Sequence, residues 1–223
     1  GSAVAIKSAR QAEAAHHLVQ RTEAEGGRAM AVQADVGNEA QVLNMFAEVD
    51  AKLGRLSALV NNAGIVDVKA RLDEMSVQRL ERMMRINVVG AFVCAREAVR
   101  RMSTRHGGHG GVIVNLSSAA ARIGSPDQYI DYAASKGAID TLTVGLAKEV
   151  AEEGIRVNGV RPGLIDTEIH ASGGDPDRAF QLAHTVPMKR TGTAQEIANA
   201  IVWLLSAEAS YVTGTTIDVT GGR

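Results

Sequence analysis

Cysteines, aromatic residues and long apolar runs are scarce in this chain of 223 residues, and each scarcity makes certain classes of protein less plausible. It has one cysteine, Cys94, so no disulfide can form within the chain, and we expect a reducing, cytoplasmic compartment. Aromatic residues make up only 3%, which leaves few rings on which nucleic-acid bases could stack. The longest apolar run, IANAIVWLL (197–205), is interrupted by Asn199 and is too short to span a bilayer.

An excess of charge of either sign is also lacking. Lys plus Arg total 24 and Asp plus Glu total 25, a balance that gives no general attraction to nucleic acid or to an anionic membrane. The histidines that could suggest a metal, at 16, 17, 106 and 109, have no acids or cysteines at ligand spacing. We therefore expect surface histidines and no catalytic metal, and we interpret Cys94 as a small packing residue rather than a nucleophile.

Short apolar runs alternate with longer helical stretches along the whole chain. The runs with strand character are AVAI, AMAVQAD, LSALVN, GVIVNLS, IRVNGV and TTIDV. Two long helical stretches cover about 77–102, with a bend near Gly90, and 129–152. This alternation predicts a single α/β domain with a mostly parallel sheet, and the apolar strands indicate that helices cover both of its faces.

One long stretch, from about 162 to 193, has no clear pattern. It contains ASGGDPDR (171–178), which is rich in turn-forming residues. Loops of this length are usually functional or mobile, and this one follows a strand at the edge where ligands bind in open α/β sheets. We expect a lid at about 164–190 that includes a short helix in RAFQLAH (178–184) and that is mobile until a ligand orders it.

The segment DYAASKGAID (131–140) carries a candidate catalytic pair. Tyr132 and Lys136 are four residues apart on a predicted helix and share a face. A free tyrosine titrates near ~10, and a neighbouring cation lowers that pKa, so the pair can serve as a general acid or base. The pair alone is also what chance places on many solvated helices. Three predicted strands end in VNNAG (60–64), NLSS (115–118) and RPG (161–163), which brings polar groups to the same edge of the sheet.

These motifs together resemble a known family. NNAG, INVVG, NLSS, YAASK, VRPG and YVTGTTIDVTGG occur in the order and at the spacing typical of the classical short-chain dehydrogenase/reductases, from about residue 3 to 223. The resemblance implies a Rossmann-like, doubly wound parallel sheet with helices on both faces. It also implies NAD(P)-dependent hydride transfer between an alcohol and a carbonyl.

The resemblance assigns roles to particular residues. Tyr132 would be the general acid or base on the substrate oxygen, and Lys136 would lower the pKa of Tyr132 and bind the nicotinamide ribose. Ser118 would hydrogen-bond the reacting oxygen, and Asn87 would hold a water that relays protons from Lys136. The adenosine half of the cofactor would meet Asp35, Val36, Asn62, Ala63 and Gly64, and the nicotinamide carboxamide and the pyrophosphate would meet Pro162, Gly163, Ile165 and Thr167. Candidate substrate contacts are Arg122, Ile123, Tyr129, His170 and the lid.

The chain departs from the family at the phosphate-binding turn. The family's TGxxxGxG pattern is not found, and we expect a first βα unit, on the order of 30 residues, to be missing from residues 1–223. HGGHGG (106–111) lies between a helix and a strand, in the wrong order to replace that turn, and is interpreted as a flexible loop. Between Ile6 and Ala12 there is no acid, whereas Lys7 and Arg10 are basic, so NADP(H) is favoured over NAD(H).

Two alternatives remain open. A binding or scaffold protein could keep this fold without catalysis, and a nucleotide-sugar epimerase or dehydratase also uses YxxxK but needs a larger substrate domain after Lys136 than this chain has. The expected partner is a small alcohol or carbonyl compound (sugar, steroid, acyl-carrier-bound ketone or small ketone), without nucleic acid or membrane. By resemblance we expect a homotetramer with Trp203 near one contact, against the alternative of a monomer with Trp203 in its core.

Overall fold

The structure is a computed structural model that describes residues 3–9, 12–167, 169 and 173–223. It divides into two compact units, Gly1–Leu56 and Ser57–Arg223. Arg10 and His170 lie outside the described residues, so the expectations for these two side chains have no structural counterpart here.

The first unit is a βαβα segment. Strands β1 (Ala3–Ser8) and β2 (Arg28–Gln33) pair in parallel, and helix α1 (Ala12–Ala24) connects them. Helix α2 (Glu39–Leu53) begins after Asn38, whose side chain accepts a hydrogen bond from the Gln41 amide, and ends at a glycine with φ 84°. Its buried residues follow helical spacing: Val42, Met45, Phe46 and Val49.

The strands of the second unit form one larger sheet and one small one. They are β3 (Ala58–Asn61), β4 (Gly111–Leu116), β5 (Ile155–Pro162), β6 (Ile165–Asp166), β7 (Gly192–Thr193) and β8 (Thr216–Val219). The larger sheet has the parallel order β3-β4-β5-β8, and β6 pairs with β7. Parallel neighbours require long crossovers, which the helices supply.

The helices of the second unit are α3 (Val77–Met84), α4 (Gly90–Met102), α5 (Ala120–Ile123), α6 (Ile130–Val150), α7 (Arg178–Leu182) and α8 (Ala194–Leu205). Between α3 and α4, residues Arg85–Val89 are π-helical, which gives a cause to the bend predicted near Gly90. Single 3₁₀ turns lie at Leu72–Glu74, Thr104–His106, Ala151–Glu153, Ala183–Thr185 and Ala207–Ala209. Within the described ranges, no helix is long and apolar enough to cross a membrane.

One core joins α8 to β4 and β5. It is made by the buried residues Val114, Leu116, Val160, Ile165, Ile197 and Leu204. Helix α8 starts with a capping box, in which the Thr193 side chain accepts from the Glu196 amide while Glu196 accepts from the Thr193 amide. The alternation read from the sequence is thereby confirmed as a parallel α/β architecture with helices on both sides of the sheet.

Two regions differ from expectation. The stretch 162–193 is more regular than its composition indicated, since it holds β6, α7 and β7. Two glycines of HGGHGG are required by close packing: a Cβ on Gly108 would lie 2.3 Å from the Met102 carbonyl carbon, and one on Gly111 would lie 2.3 Å from the Met102 sulfur. A Cβ on Gly107 would meet nothing within 4 Å, but this residue has φ 79°, a left-handed conformation that favours glycine.

Candidate active site

The strand register brings the polar strand ends of the second unit together. Asn61 lies opposite Asn115, and Asn115 lies opposite Gly159, so β3, β4 and β5 end at the same edge. The segments that follow these ends contain Asn62–Gly64, Ser117–Ser118 and Gly163. The convergence predicted from the sequence is confirmed for this edge, where ligands bind in open α/β sheets.

Helix α6 carries the tyrosine–lysine pair to this edge. The Lys136 amine is 5.6 Å from the centroid of the Tyr132 ring. It donates a hydrogen bond of 2.7 Å to the carbonyl of Leu116, the last residue of β4. The Ser117 hydroxyl in turn donates to the Lys136 carbonyl at 3.2 Å. These bonds dock α6 onto the end of β4 and place Lys136, which is 5% exposed, beneath Tyr132.

Ser118 lies beside the tyrosine, and its hydroxyl accepts from the Ala120 amide at 3.1 Å. Burial raises the pKa of Tyr132, and the nearby Ser118 side chain lowers it by less. The expectation that Lys136 lowers the pKa of Tyr132 is therefore not met in this structure. The physical reason is that desolvation disfavours the phenolate, while the ammonium is turned toward the Leu116 carbonyl.

The pKa of Lys136 is perturbed in the opposite direction. Burial lowers it from 10.5 to about 8, and the negative charge of Asp140 partly restores it. The ammonium form still predominates at neutral pH, so the pair consists of a neutral phenol above a buried cation.

Asn87 joins three segments around this pair. It lies in the π-helical turn and is 1% exposed. Its side-chain oxygen accepts from the Ile65 amide at 2.8 Å, and its side-chain nitrogen donates to the Ile65 carbonyl at 2.9 Å and to the Ser135 hydroxyl at 3.1 Å. The extra residue of a π turn is often found at functional sites. Here it orients an amide that ties the NNAG loop to α6.

Gly64 completes the group. A Cβ on Gly64 would lie 3.5 Å from the Lys136 amine and 3.5 Å from the Asn87 side-chain oxygen. A side chain at this position would stand against Lys136 and Asn87, whereas glycine leaves bare backbone beside them. Asn62 and Ala63 lie in the same loop, and the Asn62 amide donates to the Val60 carbonyl at 3.1 Å.

The segment after β5 packs closely against two neighbouring segments. A Cβ on Gly163 would lie 2.7 Å from the Thr220 Cα, and the Pro162 carbonyl accepts from the Ala119 amide at 2.9 Å. The Ile165 side chain is buried in the core with α8, and Thr167 is exposed. Asp35 and Val36 belong to the other unit, where the Asp35 carboxylate accepts from the Gly37 amide at 2.9 Å and Val36 is buried.

A sequence model of the family described as enoyl-(acyl carrier protein) reductase matches residues 1–223. An uncharacterized oxidoreductase of Escherichia coli, YgfF, is 52% identical over 100% of this chain and 90% of its own length. A gluconate 5-dehydrogenase from Burkholderia cenocepacia, solved with NADP and tartrate, has a TM-score of 0.88 at 34% identity, covering 100% of this chain and 85% of its own. A xylitol dehydrogenase with NAD⁺ bound has a TM-score of 0.88 at 31% identity, covering 100% and 89%.

The chain belongs to the short-chain dehydrogenase/reductase family. It is an oxidoreductase that uses a nicotinamide cofactor and acts on CH–OH or C=O groups. These likenesses give no support to the alternative of a catalytically inactive scaffold. They also confirm the Rossmann-like fold class over the whole chain.

In this dehydrogenase/reductase, three polar networks around the site were not predicted from the sequence. Asn61 donates to Asn115 at 3.0 Å and Asn115 donates to Thr143 at 3.0 Å, which links β3, β4 and α6 inside the core. The other two are an Arg79–Asp131 pair at the start of α6 and a chain of alternating charges through Asp140, Arg161, Asp218 and Arg122. Asp131 and Asp140 flank the motif in the sequence, but nothing in the sequence identifies their partners.

The segment predicted to form a lid in this dehydrogenase/reductase has identifiable contacts where the structure describes it. Helix α7 packs Ala179 and Leu182 against Leu164 and Val186. The Asp175 carboxylate pairs with Lys69, which lies in the loop after Gly64. The Arg178 guanidinium lies 5.2 Å from the centroid of the Tyr129 ring, one of the candidate substrate contacts. The helix predicted in RAFQLAH is confirmed as Arg178–Leu182.

Proposed function

We propose that Tyr132 is the residue that exchanges a proton with the substrate oxygen. The observation that carries this proposal is the position of Tyr132 beside Lys136 and Ser118, at the edge where three strands end. Because burial raises the pKa of Tyr132, the side chain is a neutral phenol at neutral pH and is ready to donate when a carbonyl is reduced. Ser118 binds the same oxygen and holds it within reach of the phenol.

Lys136 is proposed to stabilise the tyrosine after it has given up its proton and to bind the nicotinamide ribose. An ammonium group has three hydrogens, and the Leu116 carbonyl takes one, so two remain for these tasks. Asn87 is proposed to support a water relay to Lys136. Its side-chain amide is bonded to Ile65 and Ser135, which fixes its position close to Lys136.

The residues around the pair fit a nicotinamide cofactor. Gly64 leaves bare backbone beside Lys136, which favours close approach of a ligand to this backbone. A bound cofactor supplies or accepts the hydride. Proposed contacts are Asp35, Val36, Asn62, Ala63, Gly64, Pro162, Gly163, Ile165 and Thr167. The buried side chain of Ile165 restricts its contact to backbone atoms.

NADP(H) is proposed as the preferred cofactor over NAD(H). The support is the absence of an acid between Ile6 and Ala12 in the sequence and the presence of Lys7 at the penultimate position of β1. An acid at that place would bind a ribose 2′-hydroxyl, whereas a base favours a 2′-phosphate. The ratio of kcat/KM for NADPH and NADH measures this preference, and a ratio below one contradicts it.

The remaining proposals concern the context of the site. The substrate is a small alcohol or carbonyl compound that enters beside Tyr129. The segment at about 164–190 is the lid over it, within a single Rossmann-like domain. The protein is proposed to be a cytoplasmic homotetramer. Trp203 is 39% exposed and Val202 is 64% exposed on α8, which suits a helix face that a second copy covers.

The experiment that tests the function is Tyr132→Phe, assayed by nicotinamide absorbance with a panel of carbonyl compounds. The variant keeps the ring but removes the transferable proton, so kcat should fall by about 10²–10⁴-fold. Cofactor affinity, measured by fluorescence titration, should stay nearly unchanged. A variant that keeps more than about a tenth of the wild-type kcat would remove Tyr132 from this role.

A further inference from the structure

One turn of α6 beyond Lys136 lies a second charged residue, Asp140. Residues four apart on a helix share a face, so the side chains of Lys136 and Asp140 leave α6 on the same side, with the Lys136 amine donating to the Leu116 carbonyl. One oxygen of Asp140, Oδ2, accepts from the Arg161 guanidinium at 2.9 Å and 3.2 Å. The other oxygen, Oδ1, is buried and has no hydrogen-bond partner among the residues that the structure describes.

The position of Asp140 is held from the sheet side. Arg161, whose side chain is 8% exposed, is bound at its other end by the Asp218 carboxylate at 2.6 Å. Asp218 lies opposite Arg161 in the register of β5 and β8, and its second oxygen pairs with Arg122 on α5. The four charges alternate in sign and sum to zero, so the network adds no net charge to the site. Arg161 also immediately precedes Pro162 and Gly163, which joins the network to the proposed cofactor segment.

The unpaired oxygen requires an explanation, because buried polar atoms almost always have a hydrogen-bond partner. An asparagine at position 140 could keep a bond to Arg161, so the bond alone does not account for a full negative charge there. Arg161 already has a second carboxylate partner in Asp218, whereas the buried ammonium of Lys136, on the same face of α6, has no ion pair within 4.0 Å among the described residues. We propose that Asp140 is a positioning residue of this enzyme that acts through Lys136, by keeping its amine charged inside the site.

This proposal rests on the proposed function, in which Lys136 must be charged to bind the ribose and to stabilise the tyrosine. The Lys136 amine donates to the Leu116 carbonyl on β4 and lies near the neutral Tyr132 and Asn87, and Asp140 lies one turn farther along the same face of α6. Asp140 is the negative charge in this set, and it raises the pKa of Lys136 against the effect of burial. Removing the negative charge lowers that pKa further, so the ammonium is lost at a lower pH.

The test is Asp140→Asn, with Asp218→Asn as the matched control. Both changes remove one carboxylate from the same arginine, but Asp218 is one step farther from Lys136. For Asp140→Asn we expect the alkaline loss of kcat/KM to move to lower pH by about one unit or more. The dissociation constant for NADPH, measured by fluorescence titration, should rise several-fold at pH 8 and stay close to wild type at pH 6. Asp218→Asn should leave both profiles in place, and Asp140→Glu should restore them.

Three results would overturn the proposal: Asp140→Asn profiles that coincide with wild type, an equal loss at every pH, or a shift of the same size in Asp218→Asn. If Asp140→Asn is obtained only unfolded, Asp140→Ser takes its place and must show the shift. The two proposals remain separable, because an active Tyr132→Phe variant refutes the function. An inactive Tyr132→Phe together with an unshifted Asp140→Asn refutes only the role of Asp140.

Discussion

The ion pair between Arg79 and Asp131 holds the start of α6, immediately before Tyr132, the proposed proton donor. Two guanidinium nitrogens of Arg79 donate to the carboxylate at 2.8 Å and 3.2 Å, and a third donates to the Val68 carbonyl at 2.7 Å. The carboxylate also accepts from the Tyr132 amide at 2.9 Å. The side chains are 10% and 0% exposed, so solvent screens the pair little.

Arg79→Met keeps the length of the apolar stem but removes the charge. It leaves the Asp131 carboxylate buried, with the Tyr132 amide as its remaining donor in this set. Breaking a buried pair in this way destabilises a protein by about 3–5 kcal/mol. For a chain of this size, that corresponds to a fall in Tm of roughly 6–20 °C. The double variant Arg79→Met/Asp131→Asn leaves no unpaired charge. Its loss in free energy of unfolding should therefore be smaller, by at least ~2 kcal/mol, than the summed losses of the two single variants.

Urea unfolding followed by circular dichroism measures these free energies. The matched control is Arg21→Met, which breaks an exposed pair with Glu25 whose side chains are 70% and 69% exposed. That change should alter stability by less than ~1 kcal/mol. The reasoning is refuted if Arg79→Met loses no more than the control, or if the effects of Arg79→Met and Asp131→Asn are additive.

Three further outcomes are expected. Amide hydrogen exchange over 165–187 should be fast without NADP(H) and slow with it, because few apolar side chains are buried among the described residues of this segment. Protection that is already high without NADP(H) and does not rise on its addition would contradict the proposal of a mobile lid. Light scattering of the protein at micromolar concentration should give the mass of a tetramer, and a monomer mass would reject the assembly. The folded-state pKa of Lys136 is about 8, against 10.5 for the free side chain, so its burial destabilises the fold below pH 8 and ceases to do so by about pH 10.5. Lys136→Met should therefore be inactive, but its free energy of unfolding at pH 7 should exceed that of the wild type by up to ~3 kcal/mol. Urea unfolding should show that this difference disappears at high pH. A difference that stays constant with pH would contradict the pKa assignment.

Much of the fold follows from the sequence. The alternation of apolar strands and helices depends on local periodicity, so it predicts the parallel α/β architecture and most element positions within a few residues. The pairing of Tyr132 with Lys136 also follows, because a spacing of four on a helix specifies a shared face. The bend near Gly90 could be anticipated, but the π-helical turn that causes it and aims Asn87 at Ile65 could not, since it depends on packing against two other segments.

The electrostatics of the site are decided by the tertiary structure. The spacing of Tyr132 and Lys136 indicated a lowered tyrosine pKa, whereas the folded chain turns the ammonium toward Leu116 and buries the phenol, which raises that pKa. In the same way, Asp131 and Asp140 are visible beside the motif, but their partners Arg79 and Arg161 are 52 and 21 residues away in sequence. A charge interacts through space and through the medium around it. Only the fold specifies which charges become neighbours and how much water is left between them.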